Sequence, residues 1–178
     1  MKITAFLKAI EADLKTVPEL SGFQDIAITP GRFNASEITR RSFKSPALRI
    51  AFLGAPKTQP KADGTRSYNG AFAIFVLTDG KDRDLECVDL AQAVAEHLEL
   101  NQFSSGMPVG LPADLRMDAL YSGEIEDKGL SLYSVSWTQT MRLGKSQGLA
   151  DAEDPTAIMP EGTEPSPTID ITSMPENV

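Results

Sequence analysis

Apolar positions along this chain fall into runs of two different periods. Phe6, Leu7, Ile10, Leu14 and Val17 recur at three- and four-residue steps, with Lys8, Glu11, Asp13 and Lys15 between them. That spacing predicts an amphipathic helix. Thr4 is its N-cap candidate, and Pro18 and Gly22 stop it. A second helix is predicted over Asp82 to Leu100, with Leu85, Val88, Ala91, Ala95 and Leu98 as its apolar stripe. Asp82, Asp84 and Glu86 crowd its first turns, where the helix dipole favours acids.

Strands show the shorter period. Residues 25–29 read as a short strand ended by Pro30 and Gly31. Residues 47–53 and 71–77 are rich in β-branched and aromatic side chains and bounded by Gly and Pro. Gly106, Pro108, Gly110 and Pro112 mark a loop, and residues 115–121 follow as a strand of mixed alternation. The last strand, 130–143, is the clearest. Tyr133, Val135, Trp137, Met141 and Leu143 are apolar, Gln139 is the exception, and Ser134, Ser136, Thr138, Thr140 and Arg142 make the wetter face.

The predicted order is α-β-β-β-α-β-β. Consecutive strands imply antiparallel pairing, so the expected fold class is α+β: a mainly antiparallel sheet of about five strands with two helices packed on one face. Gly54 to Gly70 is too long for a tight hairpin turn and is read as a projecting β-arm or a flexible loop. Residues 32–45 carry Arg32, Arg40, Arg41 and Lys44 among Phe33, Ile38 and Phe43. They read either as a surface loop with three apolar anchors or as a basic contact surface for an acidic partner. After Gly144 no period survives, and Pro155, Pro160, Pro165, Pro167 and Pro175 recur among acids and small polar residues. The chain therefore divides into an α+β domain over 1–144 and an acidic, proline-rich extension over 145–178, expected to be extended or disordered in the free subunit. Ile158, Met159, Ile169 and Ile171 are the residues able to anchor it on a partner.

Charge follows the same division. The extension holds one base and seven acids, a net of −6, whereas 1–144 holds 16 bases and 18 acids, a net of −2. A nucleic-acid binder would usually present a basic face, and bulk charge draws none here. No apolar run reaches the roughly 20 residues that a membrane-spanning helix needs. Lys2 and Lys8 bracket too short an apolar stretch for a signal peptide, so the chain is expected to be cytosolic when made. Cys87 stands alone, which rules out an internal disulfide.

Candidate chemistry is sparse. His97 has no second histidine to share a metal, and a half-buried helical role fits it better. Cys87 is flanked by Asp84, Glu86 and Asp89, which oppose thiolate formation, so it reads as a packing residue. Asp79, Asp82 and Asp84 lack the ligand spacing of a calcium loop. No glycine-rich phosphate loop is present. No catalytic residue, metal site or cofactor is expected.

Three segments carry a family resemblance. They are residues 45–54 (SPALRIAFLG), residues 70–76 (GAFAIFV) running into Asp82 and Arg83, and residues 133–144 (YSVSWTQTMRLG). Together they resemble the Mu-like bacteriophage and prophage tail terminator family over about residues 1–145, and the closing WTQTMRLG run is the most specific part. The resemblance implies a non-enzymatic virion subunit assembled in the bacterial cytoplasm. It would close as a ring, expected to be hexameric, on the head-proximal end of the tail tube. The ring would end tube growth and dock the head-side neck connector, meeting the sheath protein if the tail is contractile, while genome DNA passes its lumen without specific binding. Exposed strand edges and the 54–70 segment could supply ring contacts through sheet augmentation. Interface candidates are Lys57, Lys61 and Arg66 on that segment, Arg40 and Arg41 before it, and Ile158 and Ile169 in the extension. Alternatives are a neck or head-completion adaptor, a minor tail protein, or a small metal-dependent hydrolase using Asp79, Asp82, Asp84 and His97.

Overall fold

A computed structural model describes residues 2–23, 25–29, 31, 44–62, 64–103, 109–120, 125, 127 and 129–143. All of them lie in one compact unit, Met1–Ser146; a second, Gln147–Val178, lies outside the described residues. Helix α1 spans Ile3–Leu14 and buries Phe6, Leu7, Ile10 and Leu14, the stripe that its spacing predicts. Thr4 is not its cap: the N-cap is Lys2, which makes no side-chain capping bond. A short 3-10 turn at Pro18–Leu20 follows, because proline suits a first helical position and cannot continue α1.

Five strands form one sheet: β1 (Asp25–Thr29), β2 (Ala47–Pro60), β3 (Arg66–Asp79), β4 (Val109–Ala119) and β5 (Leu130–Leu143). Helix α2 (Arg83–Leu98) stands between β3 and β4 in sequence. The spatial order is β1-β2-β3-β5-β4. Three of the four pairings are antiparallel, but β1 and β2 run parallel, with Asp25 opposite Ala47 and Thr29 opposite Ala51. The expectation that consecutive strands pair antiparallel therefore fails at this edge, and the sheet is mixed. A parallel neighbour needs a long crossover rather than a hairpin, and residues 30–46 intervene here.

Both helices lie on one face of the sheet. Helix α1 packs over β1 and β2, and α2 packs over β3, β5 and β4. Between helices and sheet sits one apolar cluster that includes Leu48, Ile50, Phe72, Ile74, Val76, Val135, Trp137 and Met141. Its centre is aromatic. Phe72 stacks on Trp137 with ring centroids 5.4 Å apart, and Phe6 meets Phe72 edge-on at 5.3 Å. Such pairs add about 0.5–1.5 kcal/mol beyond the area they bury. Gln139, the polar exception on the apolar face of β5, is 1% exposed and fully engaged. Its Oε1 accepts from Trp137 Nε1 at 3.0 Å, and its Nε2 donates to the Gly110 carbonyl at 2.8 Å.

The predicted stripe of α2 is half right. Ala91, Ala95 and Leu98 are buried, but Leu85 is 73% exposed and Cys87 takes the core position in its place. Cys87 Sγ donates to the Val76 carbonyl at 3.4 Å. The helix ends at Leu98, two residues before the predicted stop, and Leu100 adopts a left-handed φ of 62° just beyond the Glu99 cap.

A smaller cluster covers part of the other face. Ala47, Ala51, Ala73, Phe75, Leu77, Leu130 and Leu132 pack beneath Ile125. Arg49 belongs to this face and is 4% exposed. Its Nη2 bonds Asp25 Oδ2 at 2.5 Å, and its Nη1 donates to the Leu48 carbonyl at 2.9 Å, tying β1 to the start of β2.

Candidate functional site

The Gly54–Gly70 segment resolves one open expectation: it is a β-arm. Strand pairing continues from Lys57 opposite Asn69 to Pro60 opposite Arg66, so the connecting turn is only Lys61 to Thr65. Lys61 N–H donates to the Thr65 carbonyl at 2.9 Å and closes it. Strand β5 backs the arm along its whole length, with Leu143 opposite Arg66.

The alternation of these strands sets which side chains share a face. Lys57, Gln59, Ser67, Asn69, Ala71, Thr138 and Thr140 lie on the face opposite the helices, beyond the patch under Ile125. Two neighbouring hollows open there. One of about 450 Å³ is lined by Lys57, Lys61, Asn69, Asp114 and Thr140 among others. The next, of about 420 Å³, is lined by Leu53, Ala71, Asp114, Arg116 and Ser136 among others. They share Asp114 and Thr138 and so adjoin, making one grooved surface across β2, β3, β5 and β4. Thr138 Oγ1 donates to Asp114 Oδ2 at 2.9 Å, and Asp114 reaches it from a left-handed backbone, φ 53°. Among the described residues, the three cations on the groove wall, Lys57, Lys61 and Arg116, outnumber its one carboxylate.

The structure therefore unites two sequence candidates, Lys57 and Lys61. It separates the third: Arg66 alternates to the other side of β3. Arg40, Arg41, Ile158 and Ile169 lie outside the described residues. Arg116 and Asp114 went unpredicted. The pairing of β4 to β5 slips between Val109 and Pro112 and again between Ala113 and Arg116, so simple alternation misreads which way β4 side chains point. Gly110 and Pro112, read as a loop, belong to this irregular strand.

Those irregularities also bear on the strand edges. On one side β1 covers β2 only to Ala51, and the uncovered part of β2 carries Gly54, Pro56, Pro60 and two register shifts. On the other side β4 is the outermost strand and carries Pro112 and two register shifts. Bulges and prolines blunt an edge against pairing with another chain. Sheet augmentation, expected as a route to assembly, is thus disfavoured along β4 and along the uncovered part of β2.

The residues offered for hydrolysis do not converge. Asp79 ends β3 while Asp82 and Asp84 begin α2. His97 lies at the other end of that helix, about 20 Å from Asp84 at 1.5 Å of rise per residue. Its Nε2 lies 2.5 Å from Asp13 Oδ2, and Asn101 Nδ2 donates to the same oxygen at 2.9 Å. This cluster pins α1 to α2 and is structural. Among the described residues, no three His, Cys, Asp or Glu side chains are placed to share a metal. No helix among them is long and apolar enough to cross a membrane. Burial pushes the Cys87 thiol above its ordinary value, helped by Asp84 and opposed by hydrogen bonds from Thr78 and Ser131.

No protein-family model matches this chain, and no curated protein does. One solved structure aligns over 81% of this chain and 95% of its own, at 14% identity and a TM-score of 0.49. Its name states no activity, and a likeness that distant carries no function.

Proposed function

We propose that this chain is a non-catalytic structural subunit that assembles with copies of itself into a ring closing the head-proximal end of a phage tail tube. In that role it ends tube growth, and sheath growth in a contractile tail, and offers a docking face to the neck connector. One observation carries the reading. The three segments that resemble tail terminators, far apart in sequence, fall on three adjacent strands: β2, β3 and β5. The resemblance thus belongs to one connected piece of the molecule, the sheet centre. A ring requires one patch to fit a different patch on the next copy, and a polar groove on a rigid arm is suited to that. The near-balanced charge of residues 1–144 is compatible with DNA passing through a lumen without adhering.

The test is the mass and shape of the full chain, by light scattering and electron microscopy, alone and mixed with tail tubes. The expected result is a closed ring seated on one end of each tube. A chain that stays monomeric at every concentration, with tubes present, would overturn the reading.

A further inference from the structure

The groove asks for an occupant. It is open, it spans two adjoining hollows, and among the described residues its wall carries Lys57, Lys61 and Arg116 against the one carboxylate of Asp114, already engaged by Thr138. Leu53 adds a half-exposed apolar side chain beside Ala71. An anionic segment with a few apolar side chains is the complement of such a wall.

This chain contains one. Residues 155–171 include Glu161, Glu164 and Asp170, no Lys or Arg, and the apolar Ile158, Met159, Ile169 and Ile171. Pro160, Pro165 and Pro167 lack N–H groups. They suit the segment to lying across a face through its side chains and unfit it for adding to a strand edge. The spacing agrees as well. Lys57 and Arg116 are four residues apart along the strands by register and three strand spacings apart across them. With about 3.3 Å per residue and 4.8 Å per strand, their backbones are about 20 Å apart. Glu164 and Asp170 are also about 20 Å apart in an extended chain at that rise.

We propose that this groove receives the acidic, proline-rich segment 155–171 of a neighbouring copy. The inference rests on the proposal that the chain assembles with itself, and it deepens it. Along the arm and β4 the edges are blunted and the open face is left to make the contact, and each subunit then carries both halves of a head-to-tail link: a cationic groove on the arm and an anionic segment beyond Leu143. Links of that kind propagate around a ring.

The experiment uses full-length chain, half of it labelled with nitrogen-15. A carbodiimide joins carboxylates to lysine amines, mass spectrometry reads which peptides are joined, and light scattering on the same sample reads assembly. The expected products join Lys57 or Lys61 to Glu161, Glu164 or Asp170, with light and heavy peptides mixed. They should fall at least tenfold in 1 M salt, where the screening length is about 3 Å. The links to Asp170 should also fall tenfold with E161K/E164K, whose changes lie outside the compact unit Met1–Ser146. Links confined to one chain would overturn the inference, as would none at all while scattering still reports an oligomer. Duplex DNA protecting Lys57 and Lys61 in place of such links would overturn it too. A monomer throughout would instead remove the assembly reading on which it rests.

Discussion

Along β2 and β3 the same two strands pass through two environments. From Ala47 to Ala51, and from Phe72 to Thr78, nearly every residue is buried, because helices cover one face and the patch beneath Ile125 covers the other. From Lys57 to Pro60 and at Arg66 the side chains are exposed, and Ser67, Tyr68 and Asn69 are only half-buried. Pairing of β3 with β5 is continuous across both halves, and β2 pairs with β3 in each, with two register shifts between Phe52 and Lys57. Hydrogen bonding therefore does not distinguish them; coverage does. The buried half carries the stability of the domain, and the arm carries surface chemistry on a scaffold that the buried half holds in place.

That contrast can be broken at its strongest point first. Trp137→Ala removes the side chain at the centre of the aromatic cluster and leaves the Gln139 carbonyl without its donor. The expected loss is about 3–5 kcal/mol, read from the chemical denaturation midpoint. A loss under 1 kcal/mol would mean that the cluster is not where the stability resides.

Gly70→Ala probes the boundary between the halves. An added Cβ would stand 2.5 Å from Met141 Cε and 2.8 Å from Phe72 Cε2. Met141 can bend away, but the Phe72 ring is held by its stack on Trp137. The expected cost is about 1–3 kcal/mol, read from the same denaturation curve, with strand content retained by circular dichroism.

Cys87 reports on the covered half by its protonation. Its folded pKa is raised, mainly by burial, so the unfolded chain gives up this proton first as pH climbs. Above the ordinary thiol value of 9.0 the folded state then holds the extra proton, and stability declines with rising pH until the folded thiol also ionises. The wild-type chain should therefore lose more stability above that pH than Cys87→Ala does. Equal pH dependence in the two proteins would contradict the burial of this thiol.

At the arm the expectation is the smallest. Gln59→Ala and Asn69→Ala should each shift stability by less than about 0.5 kcal/mol, since neither side chain belongs to the apolar core. A loss of several kcal/mol from either would erase the proposed division between scaffold and surface.

Much of the covered half was legible in the sequence. The stripe of α1 and the alternation of β5 from Val135 to Met141 are local periodicities, and both match the observed burial; nearer the start of β5, Ser134, read as part of the wetter face, is buried. The first turns of α2 were misread because two stripes fit its spacing. Leu85 and Cys87 both lead at helical steps into Ala91, and only the position of Val76 against the helix makes the smaller Cys87 the buried one. The groove was legible only in part. Lys57 and Lys61 stood out as charges on a long connection, whereas Arg116 and Asp114 depend on a register that slips twice in β4.

The sequence by itself determined the element order, the α+β class, the aromatic content of the core and the split between a near-neutral body and an acidic extension. Each of these depends on neighbours a few positions apart or on simple charge. Only the tertiary structure decided that β1 runs parallel to β2, that residues 54–70 form a paired arm, and that Lys57, Lys61 and Arg116 share one wall while Arg66 faces away. Those outcomes depend on pairing between distant strands. One slipped residue reverses every side chain that follows it, and no local pattern records where the slip occurs.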